Sequence, residues 1–567
     1  MVNWFEPAIL IQTGLKSFIS SLFGNYADRR EMQAALDVPA PGSTISNEMI
    51  QYAKMDEIWV DFISDTGDGF NPTFSIARTA AQPQLSVEEN GIPKVLPRAK
   101  ILILGGDQIY PTPTSEMYDQ KFRIPFESAS LDTGIDTDQP HMYAIPGNHD
   151  WYDGLGSFMK VFCQQRSIGI WKTLQTRSYF AIALPHNFWL WATDIQLNGD
   201  IDKPQLEYFQ KVASDKMQPG DQVILCTAEP AWIYKQLYVK DTSYKKLCFF
   251  IDTYITNVKY GLKVAVVLTG DLHHYSHYCV TNGKDCSNHY LTAGGGGAFL
   301  HLTHNLPKTL DQINKEENVD HGVIVQKAIF PDAGSSRNLL LNNLLFPFVN
   351  RRFSALLGIF SVLFFWLLQS RFSNTHDGSL LNYLNSLNFS NYLQLLFKGF
   401  INTPTLGLLT LFLLFGFYKF TDVKTRVNGA WLLGLAHGLF QCTLIYLMIW
   451  LVAGNQPEIK NSLARHIIYM LELWLIGSFF GGLLMGIYLL ISNFCGIHID
   501  ESSSSLASEN YKNFLRMQIS KEGLKIYPIG IKKVTKDWKQ DEEKEKITFT
   551  GKLPVYHLIE NPIYIKK

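Results

Sequence analysis

Between residues 55 and 305, short apolar runs alternate with polar, glycine- or proline-rich stretches. The runs Ile58–Ile63, 99–104, 142–145, Phe188–Ala192, 223–226 and 264–268 have the length and branched or aromatic content of buried strands. A further short run at 290–292 ends in four consecutive glycines, Gly294 to Gly297, which predicts a tight backbone approach. Strands alternating with mixed segments predict a layered α/β domain, with ligands gathered at the strand ends.

After residue 350 the pattern changes. Stretches 353–370 and 399–418 carry no charge, 427–454 holds only His437, and 466–498 holds one acid, Glu472, near its start. Each is long enough to cross a hydrocarbon core of roughly 30 Å. Four such runs leave no polar face for a soluble bundle. The predicted organisation is an N-terminal helical segment at 1–54, the α/β domain at 55–305, a partly helical linker at 306–350, a four-helix transmembrane region at 351–498, and a small module at 499–567. In that last part 514–516 reads as helix, 524–531 as strand, and 536–546 as a solvated charge run. The apolar stretch at 8–23 is interrupted by Gln12 and Lys16, so it reads as a packing or membrane-surface helix rather than a cleavable signal.

Four spans return the chain to the side it left. Arg351, Arg352, Lys419, Lys424 and Arg426 sit densely on that side, while Arg371, Lys398, Lys460 and Arg465 are spread over the other. This density predicts a multi-pass cell (inner) membrane protein with its α/β domain and tail in the cytoplasm. Asn388-Phe389-Ser390 fits a glycosylation pattern on the opposite side. Gly434/Gly438, Gly477/Gly481 and Gly482/Gly486 are spaced for close helix packing.

Composition adds limits. The 567 residues are 46% hydrophobic and only 18% charged, and the apolar excess lies after residue 350. A net charge of -1 gives no long-range attraction to nucleic acid, which is not expected as a partner. The 7 cysteines include no Cys-x-x-Cys pair, and Cys279 and Cys286, although close, read as free thiols in a reducing compartment.

Five blocks rich in ligand-type residues follow the apolar runs: Ser64-Asp65-Thr66-Gly67, Gly106-Asp107-Gln108-Ile109-Tyr110, Gly147-Asn148-His149-Asp150, Thr227-Ala228-Glu229-Pro230 and Gly270-Asp271-Leu272-His273. The anionic oxygens of a phosphoester repel hydroxide. Two cations about 3.5–4 Å apart bind those oxygens and supply hydroxide at neutral pH. Asp107 is the natural bridging carboxylate. Asp65 and His273 would hold the first cation, and Asn148 would offer a neutral oxygen to the second. His149 is cast as proton donor or phosphate-binding group, with Asp150 orienting its imidazole. Of the remaining histidines, His274 and His277 read as surface groups or as supports behind the ligands, while His301 and His304, after the glycine run, read as structural or, less often, as ligands facing the site. Trp151 and Tyr152 read equally as pocket wall or core, and Arg177 as a surface ion pair.

These blocks resemble the calcineurin-like metallophosphoesterase family, through Gly147-Asn148-His149-Asp150 above all and Gly106-Asp107 next. The resemblance covers about 55–305 and implies a four-layer α/β/β/α sandwich. The architecture also resembles a bacterial-type membrane-anchored group of that family. Three departures stand out. The family's first-block His is Gly67 here, as in purple acid phosphatases, which use a Tyr where Tyr110 stands; Tyr110 is a ligand or an aromatic wall. The fourth block has no His, so Glu229 is the substitute. Asp271 replaces the first His of the fifth block. The implied ligand set of the second metal, Asp107, Asn148, Glu229 and Asp271, is oxygen-rich and suits manganese, iron or magnesium better than zinc. The expectation is a membrane-anchored phosphoesterase cleaving a phosphomonoester or phosphodiester, lipid-derived or nucleotide, by attack of metal-supplied hydroxide. The alternative is a non-catalytic phospho-ligand sensor or scaffold that has lost one metal.

Overall fold

The computed structural model describes residues 1–23, 52–131, 133–134, 139–195, 201–281, 286–310, 323–373, 379–421, 427, 429–456, 462–541 and 547–567. It divides into two compact units: residues 1–2, 11–336 and 507–567 form one, and 3–10 with 337–506 the other.

In the first unit the described residues form a nine-stranded and an eight-stranded sheet. At the centre of the first, Ile58–Ile63, Ile101–Leu104 and His141–Ala144 run parallel. The second has a parallel set, Phe188–Ala192, Gln222–Cys226, Lys263–Thr269 and Cys286–Ala293. Every residue of Ile58–Ile63, Ile101–Leu104, Phe188–Ala192 and Gln222–Cys226 is buried, which is why these strands read as apolar runs rather than alternating ones, with Asp61 and Gln222 the polar members. One hydrophobic cluster joins residues of both sheets, including Phe62, Ile103, Ile224 and Val266. A second joins the first sheet to Phe74, Phe126 and Phe158, and a third joins the second sheet to Phe209, Trp232 and Phe250.

Four expectations need correction. The tail is not a separate docked module: Lys512–Ser520 pairs antiparallel with Ile58–Ile63, and Gly523–Ile531 continues the sheet. Residues 514–516 are therefore strand, not helix. The segment expected as linker contributes Val323–Phe330 to the second sheet, pairing with Tyr275–Thr281. Cys279 and Cys286 are not free thiols. Tyr275–Thr281 and Cys286–Ala293 are antiparallel neighbours, and a register shift after Cys279 brings the two α-carbons to 5.7 Å, where the sulfurs join. Pro7–Phe23 is a helix, while the remainder of the N-terminal segment up to residue 51, with Lys424, Arg426 and Lys460, lies outside the described residues.

In the second unit, Arg351–Ser373, Ala430–Gly454 and Ser462–Phe494 are long and apolar enough to cross a membrane. The stretch expected as one straight span at 399–418 is instead two helices, Phe389–Asn402 and Pro404–Phe420, bent by 97°. Pro404 cannot continue the preceding helix and pushes Thr403 out of helical geometry, at φ -128° and ψ 83°. Small residues let Arg351–Ser373 and Ser462–Phe494 approach closely: a methyl group added at Gly358 would strike Ser478 and Trp474, and one at Gly477 would strike Ser361. Gln456, just past the end of Ala430–Gly454, donates to the Glu472 carboxylate, so this acid is paired although it lies well inside Ser462–Phe494.

Candidate functional site

The five blocks sit just past the carboxyl ends of parallel strands: Asp65 after Ile58–Ile63, Asp107 after Ile101–Leu104, Asn148 after His141–Ala144, Glu229 after Gln222–Cys226, and Asp271 with His273 after Lys263–Thr269. Asp65, Asp107 and Asp271 all adopt left-handed backbone, at φ 60°, 48° and 67°. This conformation is uncommon outside glycine and costs energy, so its recurrence at three acids marks a site held in place by its surroundings. Two glycines admit the close packing. An added β-carbon at Gly147 would collide with the Asp107 carboxylate, and one at Gly270 with Ser64 and Asp65.

Tyr110 lies at the centre. Its hydroxyl donates to Asp65 Oδ1 at 2.8 Å, reaches Asp107 Oδ2 at 3.3 Å, and lies 3.0 Å from His273 Nε2. Asp65 Oδ2 accepts from the Asp271 backbone N–H at 2.9 Å, and Asp107 Oδ1 from that of His149 at 2.8 Å. His273 Nδ1 pairs with the Phe299 carbonyl at 2.9 Å, which fixes its ring. His301 stacks on that ring at 4.2 Å and takes the His273 backbone N–H on Nδ1.

One expected partnership is arranged differently. Asp150 does not orient His149. Its carboxylate accepts from Tyr118 and from the backbone N–H groups of Gly147 at 2.9 Å and Gln108 at 3.3 Å, bracing the loops that carry Asn148 and Asp107. His149 Nδ1 instead meets the Pro111 carbonyl at 2.7 Å, and its ring lies 4.5 Å from that of Tyr110. Asp271 accepts from Tyr234. Glu229 lines a small pocket with Thr227, Thr242, Ser243 and Lys246.

The acids interact strongly. Burial, with repulsion from Asp271, raises the Asp65 carboxyl well above its ordinary range. Burial raises Asp107 likewise, with Asp150, Asp65 and Asp271 adding to it. Burial and Asp271 push Glu229 to about 8. Burial lowers His149 to about 4 and His273 well below the usual imidazole value. Lys512, from the tail strand, is buried beside this cluster, donates to the Ala298 carbonyl at 2.5 Å, and is lowered by burial to about 7 despite Asp68 and Asp65. No local pattern in the sequence marks it.

The donor set fits a hard cation. Buried carboxylates repel one another, and the Asn148 Oδ1 is buried with no hydrogen-bond partner. Among the described residues, no three His, Cys, Asp or Glu side chains form a metal-holding group on their own. The Tyr110 hydroxyl and the Asn148 oxygen therefore belong to the candidate set. Other residues singled out in the sequence are structural. His304 bonds Ser336 at 2.8 Å, and Trp151 donates to Asp194 at 3.0 Å. Arg177 lies over the rings of Tyr179 and Tyr208. His277 pairs with Glu560 at 3.0 Å.

No curated protein matches the chain. Among solved structures, GAP50, the anchor in the inner membrane complex of Plasmodium, aligns at 13% identity and TM-score 0.30, over 48% of this chain and 84% of its own. The purple acid phosphatase PPD1 from yellow lupin aligns at 14% and 0.31, over 49% of each chain. PhoD aligns at 12% and 0.25, over 46% of this chain and 59% of its own. Residues 58–275 match the calcineurin-like phosphoesterase family, so the chain carries a domain of that family.

Proposed function

We propose that the chain is a membrane-anchored metallophosphoesterase, hydrolysing a phosphomonoester or phosphodiester at a dinuclear site. The family generally uses a dinuclear metal site and acts on phosphoesters. The observation that carries the reading is the mutually repelling set of buried Asp65 and Asp107 with half-buried Asp271, together with the buried, unpartnered Asn148 oxygen. Asp65, Tyr110 and His273 would hold one ion, Asn148, Glu229 and Asp271 the other, and Asp107 both. Manganese, iron or magnesium suits these donors. Bound cations would neutralise the phosphoryl oxygens and supply the attacking hydroxide.

The chain's own groups do the rest. The Pro111 carbonyl accepts the His149 Nδ1–H, so Nε2 is the basic nitrogen of the neutral ring; the anionic oxygens of a substrate would favour its protonation, and the imidazolium would then give that proton to the leaving oxygen. Phe299 fixes the His273 tautomer, and Asp150 acts as a brace for the loops. The clusters of the first unit support a four-layer α/β/β/α stacking of its two sheets. A substrate near the bilayer, lipid-derived or nucleotide, fits an enzyme tethered by apolar helices.

Basic residues next to the spans favour a cytoplasmic catalytic domain. A second reading of sidedness comes from the Cys279–Cys286 disulfide, which favours an oxidising compartment. The test of function is metal content with turnover. Purified protein reconstituted with manganese or iron should bind close to two ions per chain and hydrolyse aryl phosphates. Less than one ion and no hydrolysis would overturn the reading in favour of a phospho-ligand sensor.

A further inference from the structure

The bent helix pair has a place in the membrane that can be argued from chain topology. Within the second unit, residues before the first apolar helix are bonded to residues after the last. Asn343 Nδ2 donates to the Ser502 carbonyl at 3.1 Å, Ser505 Oγ donates to Asn343 Oδ1 at 2.5 Å, and Asn350 Nδ2 donates to the Ser505 carbonyl at 3.0 Å. All four residues are buried. The chain therefore enters and leaves the bilayer on one side. The same follows independently within the first unit, where Ile58–Ile63 and Lys512–Ser520, which flank the apolar region in sequence, are adjacent strands. The number of crossings between them must be even. Arg351–Ser373, Ala430–Gly454 and Ser462–Phe494 supply three. A re-entrant bent pair would leave the count odd.

The pair is also chemically divided. Pro404–Phe420 is 17 residues, about 25 Å of helix. It exposes Leu408, Leu411, Phe412 and Phe415 and has no charge before Lys419 near its end. Phe389–Asn402 is amphipathic. Tyr392, Leu396 and Gly399 are buried on one flank, where the Tyr392 hydroxyl donates to the Tyr446 carbonyl at 2.6 Å. Phe389, Leu393 and Phe397 are exposed on the adjoining flank, and Asn391, Gln394, Lys398 and Asn402 occupy the opposite arc. A helix at 97° to a crossing helix runs along the membrane plane. That orientation puts one flank on protein, one on lipid and one on water.

We propose that Pro404–Phe420 is the fourth crossing, and that Phe389–Asn402 lies flat in the bilayer surface on the side away from Arg351, its Phe389, Leu393 and Phe397 flank resting in lipid. This rests on the reading of the chain as membrane-embedded. The test is labelling of the full-length protein in sealed vesicles with an impermeant maleimide. Exposed native Cys495, which follows the last helix, marks the side of Arg351. In a Cys495→Ser background, Lys419→Cys should label above background from the Cys495 side and Ser386→Cys from the other. Labelling of both from one side would overturn the crossing. Release of the protein by alkaline carbonate, with labelling of every position regardless of side, would instead overturn the membrane reading. For the flat helix, a nitroxide at Leu393 should be several-fold less accessible to a water-soluble nickel chelate than one at Lys398. Equal access would overturn that placement.

Discussion

Arg516 offers a sharp test of whether the tail belongs to the phosphoesterase sheet. It lies opposite Asp61 in the pairing of Lys512–Ser520 with Ile58–Ile63. Its Nε and Nη2 donate to the two Asp61 oxygens at 2.8 and 2.7 Å, and Nη2 also reaches the Ala80 carbonyl at 3.0 Å. Both side chains are essentially inaccessible, at 0% and 3%. Burial raises the Asp61 carboxyl above its ordinary range even with the guanidinium beside it, so desolvation outweighs attraction. Removing one partner strands the other charge in a core with no water to replace it. Arg516→Ala should therefore cost about 3–5 kcal/mol. At ~2 °C per kcal/mol, the low end for large domains, the thermal midpoint in detergent should fall by roughly 6–10 °C. Replacing the pair together, as Asp61→Leu with Arg516→Met, removes both the desolvation cost and the attraction, and should return to within ~2 kcal/mol of the parent. An Arg516→Ala loss under ~1 kcal/mol would refute the burial argument. A double variant as unstable as the single would refute the claim that desolvation is the larger effect.

The remaining predictions concern the site. Asp107→Asn should abolish hydrolysis and remove most bound metal, measured by elemental analysis; retention of both ions would deny it the shared position. His149→Ala should slow turnover by roughly 10²–10⁴ while leaving metal content nearly unchanged; an emptied site would make it a ligand instead. Tyr110→Phe removes the hydroxyl that meets Asp65, Asp107 and His273. It should erase any violet absorption of an iron-loaded sample, and a colour that survives would exclude phenolate ligation.

What could be read from the sequence was what is local. Ile58–Ile63 and Phe188–Ala192 were legible to the residue because each is buried along its whole length and closed by polar residues. The blocks carrying Asp65, Asp107, Asn148 and Asp271 were legible as a group because each lies within a few residues of the end of an apolar strand. What depended on distant partners was hidden. Arg516 interrupts the apolar pattern of its strand and suggests a helix, until Asp61 accounts for it. Lys512 carries no local signature at all. Asp150 was paired with its chain neighbour His149, but the backbone turn aims its carboxylate at Gly147, Gln108 and Tyr118. Hydropathy runs unbroken through Thr403-Pro404, where proline chemistry ends the helix.

Two chemical marks now constrain sidedness together. Cys279 and Cys286 precede the first apolar helix, and Asn388 caps Phe389–Asn402 with its side chain on the Asn391 N–H at 2.9 Å. If the first helix crosses, Asn388 lies on the far side from both cysteines. A disulfide forms where thiols are oxidised, and an asparagine glycan is added only on that same oxidising side of a secretory membrane. In a glycosylating host the two marks therefore exclude each other. With the α/β domain in the cytoplasm, Asn388 is open to modification and Cys279 and Cys286, although placed to join, are kept reduced and alkylate. With it on the oxidising side, the disulfide persists under non-reducing alkylation and Asn388 stays bare. A single population of chains bearing both the bond and the glycan would break the topology itself, because no odd number of crossings between residues 286 and 388 permits it.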